Sequence, residues 1–138
     1  MKGILLVSHG ALAEGLLDSL GFFFAGSLAQ IDCLGLTPAQ GPEELREALD
    51  KKAQALDTGE GLLIFADLYG GTPANTAAAL LRDRRDVTLI AGMNLGMVME
   101  AVSLRERGAL TRERLLEAGK KGVVCVNEVL ENRRRREP

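Results

Sequence analysis

Short runs of apolar residues alternate with longer stretches in which apolar side chains recur every three or four positions, and this alternation constrains the possible folds most strongly. Continuous apolar runs are typical of strands buried on both faces, and the longer period is typical of amphipathic helices. The apolar runs are residues 4–7, 31–36, 62–66, 87–91 and 123–126. We therefore predict an α/β fold, with a mainly parallel open sheet of about four strands and helices on both faces.

Prolines and threonines between the runs mark the starts of helices. Pro42 precedes two glutamates, Thr72 and Pro73 precede an alanine-rich stretch, and Thr111 precedes a further amphipathic stretch. Proline suits the first turn of a helix, and a threonine hydroxyl can accept a hydrogen bond from a free N–H group there. We predict a helix at each of these points, with Thr72 and Thr111 as N-caps, and another over residues 12–20.

The composition indicates one domain with its basic charge concentrated in one place. The chain has 138 residues, of which 46% are hydrophobic, enough for a single core. Its net charge is -2, although residues 133–136 are four consecutive arginines. Nucleic-acid-binding folds instead carry their basic residues over one face, so we expect no nucleic-acid partner. We predict a domain over residues 1–128 and a solvated basic tail over residues 129–138.

The two cysteines and the N-terminal residues indicate the cellular compartment of the protein. Cys33 and Cys125 each stand in an apolar stretch, which favours small core residues in a reducing cytosol. No apolar run approaches the ~18 residues that suggest a membrane span. The N-terminus enters a strand directly, without the pattern of a signal peptide. We expect a cytoplasmic protein with no stable membrane insertion.

Polar and glycine residues follow three of the predicted strands, at residues 8–10 (SHG), 67–73 (DLYGGTP) and 92–94 (GMN). Parallel strands place their carboxyl ends at one edge, where open α/β sheets bind ligands, so we expect these segments to meet there. His9, the only histidine, is thereby favoured as a functional residue over a histidine that simply ends a strand. One histidine and two separated cysteines supply no metal-ligand set, so we expect no metal and no cofactor.

Asp67 is the predicted partner of His9. A carboxylate directly after a buried strand is costly to desolvate unless it is paired or hydrogen-bonded, although it could also simply cap the following turn. If Asp67 accepts a hydrogen bond from one ring nitrogen of His9, it fixes the tautomer and leaves the other nitrogen's lone pair free. That arrangement suits a nitrogen nucleophile whose ring becomes positive as it is phosphorylated.

Gly70, Gly71 and Thr72 are predicted to bind an anion. Glycines let backbone amides approach a ligand closely, and the start of a helix attracts negative charge. Alone, the segment is equally compatible with a tight turn before a capped helix. Together with His9 and Asp67 it favours phosphoryl transfer, which needs mainly positioning and charge stabilisation. The sequence has no Walker-type loop, so we do not expect the chain to use a nucleotide.

Three segments of the chain resemble a known family. ILLVSHG at residues 4–10, DLYGGTPAN at 67–75 and AGMNLGM at 91–97 are similar, in order and spacing, to the enzyme IIA component of the mannose class of the phosphoenolpyruvate-dependent sugar phosphotransferase system. The resemblance extends over about residues 1–128. It departs at Gly96, where the family usually has proline.

The resemblance implies a phosphotransferase that works through a phosphohistidine. It implies that His9 is loaded by the histidine phosphocarrier protein (HPr) and discharged to a IIB component, that Asp67 orients the ring, and that Gly71 and Thr72 receive the phosphoryl group. It also implies a homodimer that exchanges a C-terminal strand, here residues 123–126. No IIB-like segment follows, so we expect a separate IIB protein and docking to a membrane transporter complex.

Two other functions stay open at this point. A regulatory module would accept phosphate to signal sugar status by binding a partner, without carrying sugar flux; neighbouring genes for the IIB, IIC and IID components would favour transport instead. A hydrolase that uses Ser8, His9 and Asp67 is disfavoured, because adjacent residues of a strand point to opposite faces. The sequence also has no serine elbow of the G-x-S-x-G kind.

Overall fold

Strands and helices alternate along the chain, as the sequence predicts, in a computed structural model that describes residues 1–26 and 28–137. The elements in chain order are β1 (Gly3–His9), α1 (Leu12–Leu20), β2 (Ile31–Leu36), α2 (Pro42–Leu56), β3 (Leu62–Ala66), α3 (Thr72–Ala79), a 3₁₀ turn (Leu80–Arg82), β4 (Val87–Ala91), α4 (Leu95–Glu106), α5 (Arg112–Lys121) and α6 (Val126–Arg136).

The four strands form one parallel sheet in the order β2-β1-β3-β4, which confirms the predicted fold class. Every residue of β3, and every residue of β1 before His9, is buried, which explains why these strands are continuous apolar runs. β2 is an edge strand and is only half-buried along its length. Asp32 is accommodated in this strand because its carboxylate is paired with Lys52 at 2.7 Å, and Gly35 because the carbonyl of Gly10 occupies the position that a Cβ would take.

Helices cover both faces of the sheet. One layer contains α1, α4 and α5, and its buried residues are Ile4, Leu6, Ala13, Leu20, Leu63, Phe65, Ile90, Met93, Met97, Val98, Ala101, Val102 and Leu115. The other layer contains α2 and α3, and its buried residues are Leu5, Val7, Leu49, Ala53, Leu56, Leu62, Ile64, Ala66, Ala74, Ala77, Leu80 and Val87. Successive residues of each central strand alternate between the two layers, so both cores depend on the same strands.

The predicted helix starts are partly confirmed. Thr111 caps α5, because its hydroxyl accepts the N–H of Arg114 at 3.3 Å. The prediction of Thr72 as an N-cap is wrong: Gly71 precedes α3, and Thr72 is already its first residue. The cap residue lies outside the helical backbone, so a residue that is already in the helix cannot be the cap. The Thr72 side chain is exposed to solvent and forms no cap hydrogen bond.

The C-terminal region differs from its prediction. Residues 123–126 form no strand: residues 123–125 follow a turn, and α6 begins at Val126. Residues 123–125 pair with no strand of the sheet in the described chain. The residues after them are rich in glutamate, leucine and arginine, which favour a helix. The predicted domain boundary at residue 128 falls inside α6 and stays a prediction.

The two cysteines lie in different environments. Cys33 is half-buried on β2, where burial foremost, with the nearby carboxylate of Asp32, raises the pKa of its thiol. Cys125 is exposed, so its assignment to the core is wrong. Its neighbours Val123, Val124 and Val126 are also exposed, at 76%, 58% and 62%, so this apolar run belongs to neither core. No helix in the described parts of the chain is both long and apolar enough to cross a membrane.

Candidate functional site

The candidate site lies at the carboxyl ends of β1 and β3, the two central strands. His9 is the last residue of β1, and Asp67 is the first residue after β3. The chain runs from β1 to β2 on one side and returns to β3 on the other, so this edge is the point where the strand order reverses. Open α/β sheets bind ligands at such a point, because the two crossover connections separate there and leave a crevice.

The ring of His9 is hydrogen-bonded to Asp67. Nδ1 of the imidazole lies 2.8 Å from Oδ2 of the carboxylate, and the same oxygen accepts the backbone N–H of His9 at 2.9 Å. The other carboxylate oxygen accepts the N–H of Leu68 at 2.8 Å. The Asp67 side chain is only 10% exposed, whereas that of His9 is 48% exposed. The carboxylate is therefore fixed in the protein, while the ring it holds is open to solvent.

The hydrogen bonds of Asp67 determine its charge. Burial acts to raise the pKa of this carboxyl, but the backbone and ring N–H groups of His9 and the N–H of Leu68 together outweigh it, and the pKa is lowered below its usual value. Asp67 is thus an ionised acceptor at neutral pH, and the proton of the contact resides on Nδ1 of His9. The lone pair of the free ring nitrogen, Nε2, is then available for chemistry.

Gly71 lies directly against the free edge of the His9 ring. A Cβ atom at this position would lie 2.8 Å from Cε1 of the ring, 3.5 Å from Nε2 and 3.3 Å from the carbonyl oxygen of Leu68. The backbone of Gly71 has an ordinary φ of -79°, so any residue could adopt its conformation. Glycine is required here by the space that the ring occupies, and the loop main chain can approach Nε2 for that reason.

The start of α3 provides the free N–H groups of the loop. The N–H of Gly71 is bonded to the carbonyl of Leu68 at 3.1 Å, which closes a tight turn. Gly70 stands in that turn with a φ of 82°, a left-handed conformation that favours glycine. The N–H groups of Thr72 and Ala74 have no acceptor among the described residues. Free N–H groups and the helix dipole together favour an anion at this end of α3.

Ser8 does not share the chemistry of its neighbour. Its side chain is fully buried, its hydroxyl accepts the N–H of Ala13 at 2.8 Å, and it donates to the carbonyl of Gly10 at 3.3 Å. The hydroxyl therefore stabilises the first turn of α1. It points away from the exposed ring of His9, which argues against the hydrolase.

Three apolar side chains that lie within three residues of His9 or Asp67 along the chain are exposed. Leu12 at the start of α1 is 52% exposed, and Leu68 and Tyr69, in the loop after β3, are 60% and 90% exposed. The sequence conceals the exposure of Leu12, because helical spacing puts it on the same side of α1 as Leu16 and Leu20. The available signal was the pair Leu68 and Tyr69, which are apolar in a loop outside the strand.

Residues 92–94, which follow β4, stabilise the fold, and no hydrogen bond joins their side chains to the His9 ring among the described residues. Asn94 caps α4 by accepting the N–H of Met97 at 3.0 Å, and its amide donates to the carbonyl of Gly119 in α5 at 3.0 Å. Gly96 is the second residue of α4, where a Cβ would make only ordinary contacts. Within residues 1–26 and 28–137, no three His, Cys, Asp or Glu side chains are grouped so that they could hold a metal ion.

The chain is similar to known proteins over most of its length. A family model described as "PTS system fructose IIA component" matches residues 3–116. The chain is 29% identical over 123 residues to the "PTS system mannose-specific EIIAB component" of Escherichia coli (strain K12), covering 87% of this chain and 38% of that protein. It is 30% identical over 99 residues to the "PTS system sorbose-specific EIIA component" of Lacticaseibacillus casei, covering 70% and 69%.

A solved structure supports the same relationship. The fold matches that of "phosphotransferase system component EIIA from Streptococcus agalactiae" with a TM-score of 0.81 and 26% identity, over 93% of this chain and 99% of that one. The chain spans well under half the length of the mannose-specific EIIAB relatives that it matches.

Proposed function

The chain belongs to the family of PTS system fructose IIA components, and from this membership we propose that it is a phosphotransferase that carries a phosphoryl group on His9 during carbohydrate uptake. His9 accepts the group from HPr and passes it to a IIB component. The observation that carries the proposal is the contact between Nδ1 of His9 and Asp67, at 2.8 Å, on a ring that is otherwise open to solvent.

The geometry supports a direct transfer of the phosphoryl group from the phosphohistidine of HPr to Nε2 of His9. The lone pair of Nε2 attacks the phosphorus of the phosphohistidine of HPr, a new N–P bond forms, and the old N–P bond breaks with its electron pair left on the departing imidazole. Nδ1 of His9 keeps its proton, so the phosphorylated ring is positively charged. Asp67 stabilises that charge, and transfer to IIB is the same step with the roles exchanged.

The loop before α3 suits the negative group that arrives at Nε2. Thr72 and Ala74 offer free backbone N–H groups at the start of the helix, and Gly71 leaves the space beside the ring open. Preorganised donors of this kind stabilise charge on a transferring phosphoryl group without reorganisation. In this proposal Gly70, Gly71 and Thr72 are the phosphate-binding residues, and Gly70 acts by shaping the turn.

The apolar residues around His9 suit a protein partner. In this proposal Leu12, Leu68 and Tyr69, which are exposed and lie within three residues of His9 or Asp67 along the chain, form an apolar rim around the ring. A donor and an acceptor protein must each bring a histidine or other phosphorylated side chain to Nε2, so both dock on this rim in turn. Both are proteins of the cytoplasm in this scheme, which places the chain there as well.

The proposed homodimer concerns the outer edge of β4. In the described chain β4 pairs with β3 alone, and a groove of about 310 Å³ runs along it beside Leu81, Arg112 and Leu116. The extended residues Val123 and Val124 are 76% and 58% exposed. We place residues 123–125 of one subunit against β4 of its partner, which removes an open strand edge and covers both valines.

A labelling experiment tests the phosphohistidine. The protein is incubated with phosphoenolpyruvate, enzyme I and HPr, and the bound phosphate is tested for stability in acid and base. We expect a label that is labile in acid and stable in base, and that is absent from His9→Ala. A folded protein that stays unlabelled by its cognate HPr, or a His9→Ala variant that is still labelled, contradicts the proposal.

A further inference from the structure

The helix α6 stands apart from both cores of the protein. All of its residues are exposed, including Val126, Val129 and Leu130, which are 62%, 38% and 48% exposed. These three residues are spaced three and four positions apart, so they share one face of the helix. An exposed apolar face on an isolated helix is costly in water, which indicates that it contacts another surface.

The charges of α6 are arranged around this apolar face. Arg133 follows Leu130 by three positions and Arg136 follows Arg133 by three, so both continue the apolar face. Glu128 and Glu131, also three positions apart, lie together on the opposite side. No ion pair joins residues 133–136 to a carboxylate among the described residues. The surface that α6 presents is therefore apolar along its centre and positive at its end.

We propose that α6 lies on an anionic lipid surface. The aliphatic stems of Arg133 and Arg136 extend the apolar contact, while their guanidinium groups reach the lipid phosphates. With 11 residues the helix is about 16 Å long, roughly half the hydrocarbon thickness of a bilayer, so it lies in the interface and does not cross it. The binding is peripheral, reversible and weakened by salt.

The apolar face distinguishes this partner from a nucleic acid. A nucleic-acid backbone would use the arginines but would leave Val129 and Leu130 in water, and it would not select for carboxylates on the far side of the helix. A lipid interface uses both the apolar and the positive groups. The contact is independent of His9, since α6 includes no residue of the candidate site.

Vesicle binding by the full chain tests the proposal. The protein is mixed with vesicles of phosphatidylcholine and phosphatidylglycerol, or of phosphatidylcholine alone, and the bound fraction is measured by sedimentation. We expect binding to the anionic vesicles only. Substituting both Arg133→Gln and Arg136→Gln is expected to weaken it by about tenfold or more, and substituting both Val129→Ser and Leu130→Ser to weaken it as well.

A matched pair of arginines separates α6 from the total charge of the protein. Arg82 and Arg85 are also exposed, lie outside α6, and form none of the described ion pairs. The double substitution Arg82→Gln and Arg85→Gln changes the charge by the same amount and is expected to leave vesicle binding unchanged. An equal loss in this control, binding to neutral vesicles, no vesicle binding, or binding to RNA in place of vesicles overturns the proposal. So does self-association through α6 without vesicle binding.

Discussion

Nδ1 of His9 and Oδ2 of Asp67 are 2.8 Å apart, and the same carboxylate oxygen accepts the main-chain N–H of His9. One oxygen thus fixes both the backbone and the ring of a single residue. A rotation of the ring alone would break the first bond and keep the second, so the carboxylate position does not depend on the ring. In the proposed transfer, Asp67 is already in position to stabilise the positive charge that the phosphorylated ring acquires.

Replacing Asp67 by alanine is expected to slow the proposed phosphoryl transfer by about a hundredfold or more, because the ring that becomes positive loses the carboxylate bound to its Nδ1. Rapid-quench measurement of the label on His9 gives the rate. Asp83→Ala is the control, since that carboxylate is exposed at the other end of α3 and should leave the rate unchanged. Equal rates in wild type and Asp67→Ala would show that the contact has no part in transfer.

The lowered pKa of Asp67 predicts how acid affects stability. Its ordinary value is 3.8, and a carboxyl whose folded pKa lies below that value stabilises the fold above it and loses this contribution as the pH falls through the folded pKa. At neutral pH, Asp67→Asn should cost about 1.5–3 kcal/mol in the free energy of unfolding. The difference between the two proteins should shrink below pH 3.8, as followed by urea denaturation at several pH values. A difference that stays constant with pH would contradict it.

Gly71→Ala is expected to disturb the ring without disturbing the backbone. The new Cβ would lie 2.8 Å from Cε1 of His9, so the ring must move and transfer should fall by about ten- to a hundredfold. Gly41→Ala is a matched control. Gly41 precedes α2 with φ -86° and ψ 169°, close to the -79° and 165° of Gly71, and nothing lies near its Cβ position. Gly71→Ala should lose transfer rate, whereas Gly41→Ala, whose added Cβ meets no atom, should transfer at the wild-type rate. Equal rates in the two variants would contradict the role of the Gly71 contact.

Gly96→Ala is expected to raise the free energy of unfolding by about 0.5–1 kcal/mol. Position 96 is the second residue of α4, and an added Cβ would be no closer than 3.7 Å to its neighbours, so alanine reduces the freedom of the unfolded chain without strain. Gly108→Ala, beyond the other end of α4, should have the opposite effect, because its φ of 66° is left-handed. Thermal denaturation of both variants tests these opposite changes in stability. A Gly96→Ala protein that is less stable than the wild type would contradict the prediction.

Leu116→Arg is expected to convert the proposed homodimer to a monomer. Leu116 is 41% exposed and lines the groove beside β4, so an arginine there obstructs the partner's extended segment while the fold tolerates it. Sedimentation equilibrium measures the mass. Phe22→Arg serves as the comparison, since Phe22 is 85% exposed and lies outside the groove. A wild-type protein that sediments as a monomer would exclude the exchange.

Much of the fold could be predicted from sequence because its strongest signals are local. The buried strands β1 and β3 show their environment directly in their apolar runs. Pro42 marks a helix start through its fixed φ and its missing N–H group, and Thr111 marks one by accepting the N–H of Arg114. The extended residues 123–125 failed as a strand because pairing needs a neighbour that the sequence does not specify. The assignment of Cys125 to the core was wrong for the same reason.

The contact between His9 and Asp67 could be predicted from the sequence, but the distances between the residues of the site could not. That His9 and Asp67 follow adjacent strands is a matter of topology, which the alternation of elements predicts. The contact of Gly71 with the ring depends on how the loop folds back, which is a tertiary property. The exposed positions of Leu12 and Tyr69 were likewise hidden, because helical spacing and apolarity alone do not reveal what a surface is left to meet.

Tyr69 offers an optical consequence of this loop. It is the only tyrosine, the chain has no tryptophan, and the side chain is 90% exposed two residues from Asp67. Ultraviolet emission excited in the tyrosine band therefore originates from one side chain, in the loop that follows Asp67. Titration with an unlabelled second protein should quench or enhance that emission in proportion to occupancy, which turns the unmodified chain into its own binding sensor.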